Sequence, residues 1–155
     1  MLSAALLAAC STTIKNGQTI PQAVQGDVAL AEAVAQIGSG VTVPTDVPHR
    51  LEQAVMKQAA QRPTGKVPVK LNMTITQYDI ASNGARLFAG AFMGSNKLYV
   101  AVDVLDAQSG AVLGHYDVER EANPGGYGAF YDQVQATIDE TAEGVVNGLY
   151  GQPKS

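Results

Sequence analysis

In Val67-Pro68-Val69-Lys70-Leu71-Asn72-Met73-Thr74-Ile75-Thr76, the apolar Val67, Val69, Leu71, Met73 and Ile75 alternate with Lys70, Asn72, Thr74 and Thr76. A period of two belongs to a pleated strand with one dry face and one wet face. Leu98, Val100, Val102 and Val104 form a second row of the same kind. Val112, Tyr116 and Val118 continue it beyond Asp106-Ala107-Gln108-Ser109-Gly110, whose composition is that of a hairpin turn. The opposite side of these strands carries Lys97, Tyr99, Asp103, His115 and Asp117. One apolar face and one solvated face point to an antiparallel sheet covered on one side only.

Two amphipathic helices can supply that cover. Val47, Leu51, Val55 and Ala59 recur at helical spacing, with Arg50, Glu52, Lys57 and Gln61 off the stripe. Thr45 or Asp46 is placed to cap this helix, Pro48 suits its first turn, and Pro63-Thr64-Gly65 ends it. Near the C-terminus, Tyr131, Val134, Ile138, Thr141/Ala142, Val145 and Leu149 make a second stripe, with Asp132, Asp139, Glu140 and Glu143 outside it. Gly151 and Pro153 stop that helix. Asp27–Ile37 is ambiguous. Its alanines favour helix, whereas Val28, Leu30 and Val34 fall on one face of an extended chain, so the reading leans to a strand. The expected order is β(?)-α-β-β-β-α. It implies an α+β two-layer sandwich: a mainly antiparallel sheet of three to four strands with two helices on one face.

The N-terminus states an address. Leu7-Ala8-Ala9-Cys10 follows a short apolar run and contains the one cysteine of the 155-residue chain. It has the form of a bacterial lipobox, with Leu at −3, small residues at −2 and −1, and a thiol free to form a thioether with diacylglycerol. Cleavage between Ala9 and Cys10 would leave Cys10 as the acylated first residue. Each buried CH₂ of an acyl chain contributes about 0.8 kcal/mol, and stable anchoring takes two chains or more. A secretory signal also carries a positively charged n-region, whereas this sequence begins Met1-Leu2-Ser3-Ala4. Residues 1–9 therefore read as the remnant of a longer signal peptide. The competing reading is an apolar N-terminal segment with a buried, inert thiol. Ser11 at +2, in place of Asp, leans toward the outer membrane. Residues 10–22 are expected to be a lipidated tether, residues 23–150 a single domain, and residues 151–155 a tail. A dozen extended residues reach about 40 Å.

Composition narrows the function. Hydrophobic residues make up 46% of the chain, enough for a sizeable core in one domain. A net charge of −4 argues against nucleic-acid binding and against electrostatic adhesion to anionic lipid. One cysteine and two histidines leave no material for a disulfide or a Cys/His zinc site. No cofactor is expected.

A family resemblance rests on particular stretches. They are Thr76-Gln77-Tyr78-Asp79, then Arg86-Leu87-Phe88-Ala89-Gly90-Ala91-Phe92-Met93-Gly94, then Leu98-Tyr99-Val100-Ala101-Val102-Asp103-Val104-Leu105-Asp106-Ala107 with Ser109-Gly110. With the Gly-rich loop and acidic C-terminal helix that follow, Val67 to Leu149 resembles domain-of-unknown-function family 4410, a set of proteobacterial lipoprotein domains. The resemblance implies a small α+β envelope domain and carries over no catalytic residue.

Four sets of residues are candidate sites. Leu87, Phe88, Phe92 and Met93 lie in a long connection between strands, with Gly84, Gly90 and Gly94 among them. They suit either a projecting loop that meets a partner or ligand or a loop folded back over the core edge. Asn123–Gly128 has glycines able to form an anion-binding nest but lacks phosphate-loop spacing. Asp103, Asp106 and Asp117 invite a calcium reading, yet show no EF-hand spacing and are simpler as turn and surface residues. Ser109, His115 and Asp117 have the residue types of a hydrolytic relay without a nucleophile elbow. His49 reads as a surface residue. The expectation is a non-enzymatic lipoprotein of the cell envelope, facing the periplasm from the outer membrane, joined to the membrane by its N-terminal lipid and to an envelope protein partner. The alternatives are a binder of lipid or a small apolar molecule, and, least favoured, a hydrolase.

Overall fold

A computed structural model describes residues 11–16, 20–80, 96–122 and 132–152. Its elements run β1 (Ser11–Asn16), α1 (Gln22–Gln25), β2 (Val28–Ile37), α2 (Val47–Ala59), β3 (Val67–Asp79), β4 (Asn96–Asp106), β5 (Val112–Ala122) and, as the third helix, α3 (Gln133–Tyr150). The strands form one five-stranded sheet in the order β1-β5-β4-β3-β2. The α+β class stands, but the sheet is mixed and larger than the sequence suggests. β1 with β5, β5 with β4 and β4 with β3 are antiparallel, while β2 lies parallel to β3.

The expected order is corrected at its start, where β1 and the one-turn α1 precede the predicted elements. Ser11–Asn16, expected within the tether, is the edge strand β1. Its sequence, Ser-Thr-Thr-Ile-Lys-Asn, has no apolar alternation to announce it. Pairing with β5, from Ser11↔Glu121 to Asn16↔Tyr116, makes it a strand.

β2 confirms a strand at Val28–Ile37 and corrects its facing. A register shift between Leu30 and Glu32 interrupts the pairing with β3. The extra residue of a bulge reverses which side chains point inward. Ala33 is consequently buried and Val34 stands 44% exposed, although Val28 and Val34 would share a face in a regular strand.

The remaining periodicities hold. Val69, Leu71, Met73 and Ile75 on β3 and Leu98, Val100, Val102 and Val104 on β4 are buried, as are Tyr116 and Val118 on β5. Val112 is the exception, 59% exposed at the first position of β5. Val47, Leu51, Val55 and Ala59 of α2 and Ile138, Ala142, Val145 and Leu149 of α3 close the same core from one side. Full burial of each such Val, Leu, Ile or Met side chain contributes about 1.5–3 kcal/mol relative to exposure. Gly144 and Gly148 let α3 approach the sheet. A Cβ on Gly144 would lie 2.7 Å from Val118 Cγ1, and one on Gly148 would meet the ring of Tyr116.

The strand directions define two ends. One end gathers Ser11, Asp79, Asn96 and Ala122, with the N-terminal ends of α2 and α3 nearby. The other holds α1, the Asp106–Ala111 turn and the C-terminal end of α3. No helix among the described residues is long and apolar enough to cross a membrane.

Candidate functional site

The side of the sheet opposite the helices is a polar surface built by strand register. Asp103 stands opposite His115, Tyr99 opposite Glu119, and Lys97 opposite Glu121. β1 brings Lys15 opposite Asp117 and Thr13 opposite Glu119. At the far edge, Glu32 pairs with Lys70 at 3.0 Å, and Gln36 donates to the Thr74 hydroxyl at 3.1 Å. The face thus runs from β2 to β1, with the exposed Val34 of β2 among its polar groups.

Its centre is His115. The ring lies between two carboxylates, with Nδ1 2.7 Å from Asp103 Oδ1 and Nε2 3.6 Å from Asp117 Oδ1. Lys15 pairs with Glu119 at 2.7 Å. That contact, first as a hydrogen bond and then as charge attraction, holds the lysine above its ordinary range. Tyr99 donates to Glu121, and Lys97 stands 3.7 Å from the same carboxylate. The hydrogen bond to Glu121 raises the Tyr99 hydroxyl to about 12. The same bond, supported by Lys97, lowers the Glu121 carboxyl.

The hydrolytic relay is not assembled. His115 binds Asp103, and the Ser109 hydroxyl accepts the Ala111 N–H within the turn at 3.3 Å. Nor do the three aspartates converge. Asp106 accepts the backbone N–H groups of Gln108 and Ser109 at 2.9 and 2.8 Å, which holds its carboxyl below the usual range. Among the described residues, no group of three or more His, Cys, Asp or Glu is placed to hold a metal ion. His49 is exposed, as read from the sequence, and contacts Glu52 at 3.3 Å and Gln53 at 3.0 Å.

Ala9, Cys10, Leu87, Phe88, Phe92, Met93 and Asn123–Gly128 lie outside the described residues. The groove between α2 and α3 is lined by Gln58, Arg62, Asp139, Glu143 and Asn147, with Val146 among them.

A polar cluster under α3 was missed by sequence reasoning. Arg120, 4% exposed, donates to the Thr12 hydroxyl at 3.0 Å and pairs with Glu140 on α3. Its Nε has no hydrogen-bond partner among the described residues. Asn96 donates to Gln133 at 3.1 Å, and Thr137 and Thr141 each donate to the carbonyl four residues back at 2.7 Å. Parity was the available signal, since Arg120 shares the face of Tyr116 and Val118. Its charge argued for the surface, and its partners lie on other elements. Arg50 was likewise read only as off the core stripe. It joins the two helices, reaching Asp46 at 3.3 Å, Asp132 at 3.2 Å and Gln135 at 2.9 Å. Asp46 is the N-cap of α2 but makes no side-chain capping bond, whereas Asp132 caps α3 by accepting the Gln135 N–H at 2.9 Å.

Comparison with known proteins places this architecture. The chain resembles the PelC dodecamer from Paraburkholderia phytofirmans, with a TM-score of 0.56 at 13% identity, covering 92% of this chain and all of the other. A variant of the same dodecamer gives a TM-score of 0.53 at 14% identity over the same shares. At this identity the likeness concerns the fold. No curated protein sequence matches the chain significantly. The family model of the Domain of unknown function (DUF4410) matches residues 40–126, which span α2 through β5 and the start of the following connection. The resemblance read from the strand and turn residues is thereby borne out, and the chain belongs to the DUF4410 family.

Proposed function

We propose that this chain is a membrane-anchored periplasmic lipoprotein, held to the outer membrane through Cys10, that serves as a non-enzymatic interaction module of the cell envelope. The observation that carries the reading is the uncovered polar face of the sheet. It extends from Glu32 and Lys70 to Lys15 and Glu119 and presents charges of both signs at fixed register. Alternating charges on a rigid sheet suit orientation and partner discrimination, because mismatched charges are penalised on contact. The Leu7-Ala8-Ala9-Cys10 motif supports the anchor. The PelC neighbours are dodecamers, and β1 and β2 are edge strands of the sheet in this chain, so a second copy is among the partners to detect.

The test uses the tagged full chain expressed in bacteria, crosslinked in intact envelopes and then solubilised. The expected result is a reproducible adduct, with this chain or another envelope protein, that is lost in the Asp117→Lys, Glu119→Lys double variant. A chain that yields no adduct overturns the interaction reading. Cys10→Ala is expected to move the protein from the membrane fraction to the soluble periplasm, and unchanged fractionation overturns the anchor.

A further inference from the structure

The two edges of the sheet are finished differently. On β2, the Tyr150 hydroxyl accepts the Leu30 N–H at 3.2 Å and Glu52 accepts the Ala35 N–H at 2.8 Å, so side chains from α3 and α2 cap amides of that strand. On β1, among the described residues, no side chain bonds a backbone N–H, and a groove runs between the strand and α3. We infer that an extended segment of another envelope protein adds to the free edge of β1 as a sixth strand and seats a Lys or Arg side chain beside Glu143. The inference rests on the reading of this chain as an interaction module and gives that module its docking edge.

An unpaired strand offers a row of N–H and C=O groups that another extended chain can complete. In such strand addition the main chain supplies affinity, and pockets for alternate side chains supply specificity. β1 has such pockets on its helix side. Thr12 and Ile14, which lie opposite the buried Arg120 and Val118, face α3. One hollow, of about 220 Å³, lies between Thr12, Glu140, Glu143 and Asn147. It adjoins a second, of about 380 Å³, with Ile14, Ile20, Tyr116 and Gly148 in its lining. Ile14 and Asn147 line both, so the hollows follow one another along the strand. Alternate side chains of an added strand are roughly 6.6 Å apart, and two of them can enter the two hollows.

Charge selects the occupant. Glu140 is already paired with Arg120, whereas Glu143 is exposed and has no ion-pair partner among the described residues. A cation on the added strand supplies that partner. A second copy of this chain brings none to the helix side. Its β2 contains no Lys or Arg, and Thr12 and Ile14 of its β1 are uncharged. Pairing β1 with β1 about a twofold axis would also turn the Glu143 of each copy toward the same seam, and like charges brought together penalise the wrong partner. The other side of an added strand would extend the open polar face beyond Lys15.

The test places the photo-crosslinker p-benzoylphenylalanine at Gln152, which is exposed and borders both hollows, in the tagged full chain within intact bacterial envelopes. The expected product is an adduct to a peptide of another protein, and that peptide contains Lys or Arg. The adduct is expected to be lost with Glu143→Lys and weakened with Glu143→Gln. Amides of residues 11–16 are expected to exchange hydrogen more slowly in the purified adduct than in the free chain. An adduct of two copies of this chain makes the occupant a second copy and overturns the proposal. So does an adduct indifferent to Glu143→Lys, a partner peptide without a cation, or unchanged exchange in β1. A chain that forms the chemically crosslinked adduct but none from Gln152 overturns the β1 docking alone. A chain that forms neither overturns the interaction reading and the docking with it.

Discussion

The Tyr116 hydroxyl donates to the Val145 carbonyl across 2.6 Å, tying the middle of β5 to α3 inside the core. The tyrosine is 2% exposed, and burial pushes its hydroxyl far above the ordinary range, so it remains a donor throughout the working pH range. Tyr116→Phe keeps the ring and removes the bond. The expected loss is about 1 kcal/mol of unfolding free energy, the net worth of a typical buried hydrogen bond, read from the urea midpoint at unchanged slope.

Gly148 makes that contact possible, because any Cβ there would collide with the Tyr116 ring. The ring is fixed by its own hydrogen bond and cannot turn aside cheaply. Gly148→Ala should therefore destabilise by about 1–3 kcal/mol through overpacking, despite the gain of up to about 1 kcal/mol in helix propensity. Thermal unfolding distinguishes this from the stabilisation that propensity alone would give.

Arg120 and Glu140 are unequal partners. Arg120 is almost wholly buried, whereas the Glu140 side chain keeps 35% exposure. Removing Glu140 leaves a buried cation, a change that costs about 3–5 kcal/mol where burial is complete and less here. Removing the cation relieves its desolvation. Glu140→Ala should consequently lower the melting temperature more than Arg120→Met, and the opposite order would mean that the pair itself is the stabilising element.

Tyr99 and Glu121 give the open face two pH edges. The Tyr99 hydroxyl is raised to about 12 by its bond to Glu121, so its contribution is complete below the ordinary value near 10 and is lost as pH rises through about 12. Glu121 is lowered by the same bond, so its contribution is present above the ordinary carboxylate value and lost as pH falls through the lowered one. Ultraviolet titration should show Tyr99 ionising late alongside the buried Tyr116, and Glu121→Gln should bring the Tyr99 component alone back toward the ordinary value. A spectrum unchanged by that substitution would place the late transition elsewhere.

Much of the core was legible because its signal is local. Leu71, Met73 and Ile75 declare their common face by spacing alone, and Leu51, Val55 and Ala59 do so at helical spacing. Turn chemistry at Asp106–Gly110 was equally readable, since Asp106 bonds the backbone only two and three residues ahead. The open face was visible as residues, though not as pairs. His115 and Asp117 suggested a relay with Ser109, while the register of β4 supplied Asp103 as the nearer partner.

By itself the sequence determined the α+β class, the two covering helices, three strands with their buried faces, and the family to which the chain belongs. Each follows from repeats within a few residues or from turn residues acting on their own backbone. Tertiary structure alone decided that Ser11–Asn16 is an edge strand, that β2 lies parallel to β3 with a bulge that turns Val34 outward, and that Arg120 is buried against α3. These depend on hydrogen bonds and ion pairs between residues distant in the chain. A polar strand such as β1 has no periodicity of its own, and the unpaired edge of β5 gives it both conformation and place.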